Sequence, residues 1–173
     1  MLAGLWGFAE GTLLFIVPDV LLSLAAMLGG RRALRHVMSA TAGALAAGGL
    51  LFAWSAASPA AQSVVGQVPF VSPQMFEAVD RAYQHQGAWA PLLGPLSGIP
   101  YKVYAVEAPR HVSLPRFLAA TVPARLERFL LVWLLFAALG VGLRSWKPAH
   151  ARLALGMHAA LWIGFYAFYW SVI

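Results

Sequence analysis

The sequence predicts an all-α integral membrane protein: two re-entrant, broken helical hairpins of opposite orientation plus about three transmembrane helices, in an inverted-repeat-like arrangement. Three observations carry this. Only 10% of the 173 residues are charged and 61% are hydrophobic, with a mean hydropathy of +0.72, whereas a soluble domain carries about 25% charged residues. Uncharged apolar runs recur at about 20 residues, the length that crosses a hydrocarbon core roughly 30 Å thick. Two other apolar blocks are interrupted by helix breakers and charges, so neither reads as a simple span.

Taken in order, the chain reads as a single membrane domain over 1–173. The first block, 1–30, contains "GFAEGTLLFIVPDVLL" and is broken at Pro18. The legs on either side, roughly 22 and 16 Å if helical, are each too short to cross. A kinked span and a re-entrant hairpin both fit, and either one buries the broken backbone in protein or against water. Residues 37–57 are a transmembrane helix whose "TAGALAAGG" suits close packing on a neighbour. A polar interlude follows at 58–87, where Phe76, Val79 and Tyr83 recur at the spacing of a short amphipathic helix. Block 88–106 repeats the oddity of the first, with Pro91, Gly94, Pro95, Gly98 and Pro100 ahead of Lys102. Residues 112–143 begin amphipathic and become a span. The last helix, 153–173, ends in the aromatic run "WIGFYAFYW", as at a membrane–water interface.

Charge placement orients these pieces. Arg31, Arg32 and Arg35 follow the first block, and Arg144, Lys147 and Arg152 lie between the last two. If both basic loops are cytoplasmic, 37–57 crosses outward, 112–143 crosses back, and 88–106 starts and ends outside as a hairpin. Arg110 and Arg116 oppose that bias. The net charge of +6 collects at the ends of apolar runs rather than on a polar segment with interleaved aromatics, so lipid headgroups explain it and nucleic acid does not. There is no cysteine, which excludes disulfides and thiolate metal sites. No signal-peptide pattern is expected, because a basic leader is missing and Glu10 interrupts the apolar stretch.

The informative residues are charges in apolar surroundings. A charge at the bilayer centre costs roughly 2.5–3.5 kcal/mol on insertion scales, so Glu10, Asp19 and Lys102 should face the interior and pair or become neutral. Pro18, Gly98 and Pro100 are the structural turns that would bring them together. Asp19 also suits the cap of a helix starting after Pro18, and Lys102 could snorkel to headgroups. Arg125 and Arg128, three apart on one helical face, read either as anchors at the membrane edge or as a cationic site for a phosphate. His158 reads as an interhelical hydrogen bonder, the other histidines as polar and exposed. No zinc motif, nucleophile elbow or phosphate loop occurs, so neither metal nor cofactor is expected and an enzyme is the least favoured class.

"GFAEGTLLFIVPDVLLSLAAML" resembles the first motif of the DedA superfamily of VTT-domain (SNARE-associated) membrane proteins. "PLSGIPYKVYAVEA" with "VPARLERFLLV" resembles the second, in the form found in the small YqaA-like branch. The resemblance covers 4–29 and 94–134. It implies two hairpins entering from opposite sides and meeting at the centre, in a bacterial cytoplasmic (inner) membrane protein. It also implies transport or flipping of an anionic lipid, either a polyprenyl phosphate such as undecaprenyl phosphate or a phospholipid, with protons as coupling ion. Glu10 and Asp19 match its embedded acids, Lys102 stands where the larger members carry arginine, and Arg125 and Arg128 match its later basic pair. Two alternatives stand beside this: a small proton-coupled ion or solute transporter, and a structural membrane-homeostasis protein with no transport activity. Self-association stays open.

Overall fold

The computed structural model describes residues 2–14, 16–144 and 149–172; Lys147 lies outside them, as do the side chains of Arg144, His150, Arg152, Tyr169 and Trp170. Among the described residues the chain is helical and contains no strand. The α-helices are α1 (Leu2–Thr12), α2 (Asp19–Gly29), α3 (Leu34–Ala57), α4 (Ala60–Gly66), α5 (Pro73–Gln86), α6 (Gly94–Ser97), α7 (Tyr101–Glu107), α8 (Leu114–Arg144) and α9 (Ala149–Val172). Short 3₁₀ turns occupy Gly30–Ala33, Gly87–Leu93 and Ala108–Arg110. One stretch, Arg31–Ala57, is long and apolar enough to cross a membrane; Asp19–Gly29 and Leu153–Phe168 are shorter apolar helices.

Both expected interruptions are present, and the first is wider than one proline. α1 stops at Thr12, and α2 starts immediately after Pro18. The hydroxyl of Thr12 donates to Phe8 O and Ala9 O, and the amides of Leu13 and Leu14 both reach Ala9 O, which closes the helix end several residues before Pro18. The two legs are therefore equal in length, Leu2–Thr12 and Asp19–Gly29. Each is too short to cross a hydrocarbon core. In the second interruption Gly98 adopts a φ of 69°. That is the left-handed conformation, which ends a helix at little cost only for glycine. Pro100, in extended backbone, then leads into α7.

Small residues set the helix contacts. α1 lies along α3, and α2 along α8. A Cβ on Gly7 would collide with Ala40 O, and one on Gly43 with Gly4 O. The two backbones therefore touch, as the Ala/Gly run suggests. The amphipathic α5 buries Val79 and Tyr83 against α7, with Phe76 partly covered. α9 hangs on α2 and the residues just before it by polar contacts: Ser23 Oγ lies 2.8 Å from His158 Nε2, Trp162 Nε1 donates to Ser23 Oγ at 3.1 Å, and Val17 N–H, ahead of α2, donates to the Tyr166 hydroxyl at 2.9 Å. His158 is thus an interhelical hydrogen bonder. The outer faces of α8 and α9 stay apolar and exposed, with Leu131, Leu134, Leu135, Ile163 and Phe168 outward.

Candidate functional site

Arg125 and Arg128 share a face of α8 because they are three residues apart, and each reaches one end of the first broken segment. Arg125 donates to the Glu10 carboxylate at the end of α1, 3.1 Å away. Arg128 donates twice to Asp19 Oδ2 at the start of α2, with its Nε at 3.0 Å. Lys102, delivered by α7, reaches the middle: its Nζ donates to Leu14 O at 2.8 Å. Three cations from the second half of the chain therefore clamp three points of one interruption.

Burial makes these contacts consequential. Glu10 and Arg125 are each 4% exposed, Asp19 5% and Lys102 1%. A buried carboxylate–guanidinium pair offsets its own desolvation when its geometry is good, whereas an uncompensated buried charge costs several kcal/mol. Both acids have an arginine partner. Lys102 makes no ion pair among the described residues, which leaves three cations against two carboxylates. Hydrogen-bonding capacity is also left over: Arg125 Nε and Asp19 Oδ1 are buried without partners. The Arg125 guanidinium lies over the Tyr101 ring, 4.0 Å from its centroid, and the Tyr101 hydroxyl is 3.2 Å from Thr121 Oγ1. This cation–π contact fixes the plane of the arginine.

A cavity of about 340 Å³ adjoins the cluster, lined by Glu10, Lys102 and Arg128 together with Gly98, Pro100 and Tyr166. Its walls thus come from both broken segments and from α9. The capping role considered for Asp19 is not what its side chain does, since Oδ2 holds Arg128 and Oδ1 holds nothing. Nor does Lys102 snorkel outward, because it is enclosed. The five charged residues singled out in the sequence therefore come together, with Arg125 and Arg128, rather than Lys102, as the partners of the acids.

A second polar cluster was not legible. Asp80 of α5, Glu107 at the end of α7 and His111 just after it each offer a ligand-type atom, all within 4.8 Å of one another. Expected to be an exposed histidine, His111 has a side chain only 17% exposed, and its ring lies flat on Tyr83, 5.1 Å between centroids. Burial pushes the Tyr83 hydroxyl well above the ordinary tyrosine range. It therefore stays protonated and donates to Tyr104 O at 2.9 Å. The one sequence hint was the four-residue spacing of acid and histidine in "EAPRH"; the third member comes from 27 positions before Glu107. Compared with models of known families, with curated proteins and with solved structures, the chain matches none.

Proposed function

We propose that the protein is a membrane transporter of an anionic lipid, a polyprenyl phosphate such as undecaprenyl phosphate or a phospholipid, with its headgroup held beside Lys102. The supporting observation is the surplus of one buried cation against a cavity. An enclosed ammonium whose one direct contact among the described residues is a carbonyl is stabilised further by an anion that can reach it. Arg128, which lines the same cavity, is a second cation that a phosphate oxygen can reach. In this reading the two interruptions are re-entrant hairpins from opposite faces, α8 and α9 are spans beside α3, and the protein sits in a bacterial inner membrane. The family assignment rests on the two motifs, within 4–29 and 94–134.

The paired acids supply a coupling device. A phosphate that draws Arg128 toward itself weakens its hold on Asp19, and a carboxylate losing its cation in an apolar site takes up a proton. The test is translocation of a labelled polyprenyl phosphate and a labelled phosphatidylglycerol by purified protein in vesicles. Lys102→Ala should abolish movement of the transported lipid while leaving the protein folded, and Glu10→Gln should abolish it in the fraction that stays folded, as followed by tryptophan fluorescence. Wild-type rates in both variants would sink the site assignment, and proton flux without lipid movement would favour the solute-transporter reading.

A further inference from the structure

The second cluster has a different chemistry, and we propose that Asp80, Glu107 and His111 form a binding site for a divalent first-row transition ion such as Zn²⁺ or Mn²⁺. The site is independent of the lipid cavity. One imidazole nitrogen and two carboxylate oxygens are a ligand set suited to these ions, whereas Ca²⁺ and Mg²⁺ take all-oxygen shells and Cu(I) prefers sulfur.

Four features distinguish this group from a chance meeting of surface charges. The Nε2 of His111 is buried and faces Asp80 Oδ1 at 3.0 Å, an ion pair when the ring is protonated and, when it is neutral, two ligand atoms aimed at one point. The imidazole is fixed by stacking on Tyr83, which is itself anchored to Tyr104 O. Each carboxylate is oriented from behind by an amide: Gln84 Nε2 donates to Asp80 Oδ2 at 2.6 Å, and Gln62 Nε2 to Glu107 Oε1 at 2.9 Å. Outer hydrogen bonds of this kind are what hold ligands in metal sites. Asp80 is 38% exposed, which leaves an approach for the ion and room for water as a further ligand.

Two adjustments complete the shell. Ligand atoms of a tetrahedral site stand about 3.4 Å apart when metal–ligand distances are about 2.1 Å. The present spacing of up to 4.8 Å closes by a rotamer change of a carboxylate. Arg110 lies 3.1 Å from Glu107 Oε2, but its side chain is 59% exposed and can swing into water. Its charge leaves the group at net −1 with His111 neutral, still favourable for a dication. An ion bound here would staple α5 to the end of α7, the helix that carries Lys102.

The experiment uses the full chain in detergent, stripped with a chelator and then titrated with Zn²⁺ and Mn²⁺ by calorimetry. Thermal unfolding is followed through tryptophan fluorescence. One saturable site and a raised Tm are expected, with Asp80→Asn and His111→Gln each weakening binding by about tenfold or more. No saturable binding of either ion, or binding unaltered in both variants, overturns the proposal. Should either variant fail to fold, Co²⁺ added to the wild-type chain decides. Visible absorption of a cobalt ion bound by nitrogen and oxygen supports the site, and a spectrum identical to aqueous Co²⁺ rejects it.

Discussion

The Glu10–Asp19–Lys102–Arg125–Arg128 group and the Asp80–Glu107–Arg110–His111 group accommodate buried charge in opposite ways. In the first, four of the five residues are at most 5% exposed and cations outnumber carboxylates. In the second only Glu107, at 2%, is fully enclosed, its partner Arg110 is largely in water, and carboxylates outnumber the arginine. An enclosed pair cannot exchange its partner for solvent, so each member depends on the other. A pair with one member in water is replaceable, because solvent takes over most of the lost interaction. The surplus sign also differs, positive in the first group and negative in the second.

The largest expected effect comes from breaking an enclosed pair. Arg125→Met leaves Glu10 buried without its guanidinium, and the loss should be about 3–5 kcal/mol. Denaturant titration in micelles, followed by tryptophan fluorescence, measures it. Adding Glu10→Gln should restore at least about 1 kcal/mol, since the two residues touch and their effects do not add. A loss below that figure for the single variant would mean that water reaches the pair.

Lys102→Met sharpens the contrast within the same cluster. It removes one hydrogen bond, to Leu14 O, together with a buried charge that makes no direct ion pair among the described residues. These changes oppose each other, and stability should stay within about 1 kcal/mol of wild type. A loss as large as that of Arg125→Met would show that the lysine is a structural partner of the acids. The smallest effect belongs to the outer group: Arg110→Ala should cost at most about 1 kcal/mol. It should tighten Zn²⁺ binding in the same calorimetric titration, because a competing cation leaves Glu107; weaker binding would remove the electrostatic distinction between the two groups.

Much of the molecule was legible where its cause is local. The desolvation cost of Glu10, Asp19 and Lys102 depends only on their apolar neighbours in sequence, so their inward placement could be expected. Gly98 and Pro100 announce a turn through their own backbone preferences, and Gly43 announces a close helix contact by lacking a Cβ. Pro18 misled in one respect: it marks where α2 starts, while α1 ends earlier through the Thr12 hydroxyl and the Leu13 and Leu14 amides. His111 misled entirely, since nothing beside it in the chain indicates that α5 will bring Tyr83 and Asp80 against it.

By itself, the sequence determined the apolar all-helical class, the two interruptions and the identity of three charges, Glu10, Asp19 and Lys102, that must face the interior, because each follows from hydropathy and backbone preference within a few residues. Only the tertiary structure decided which charge meets which. Glu10 and Arg125 are 115 positions apart, and Asp19 and Arg128 are 109. Such pairings depend on how each helix is rotated and where each break falls, and no local rule encodes either. The same rotations leave Lys102 as the odd cation beside the cavity and gather Asp80, Glu107 and His111 at the edge of the fold.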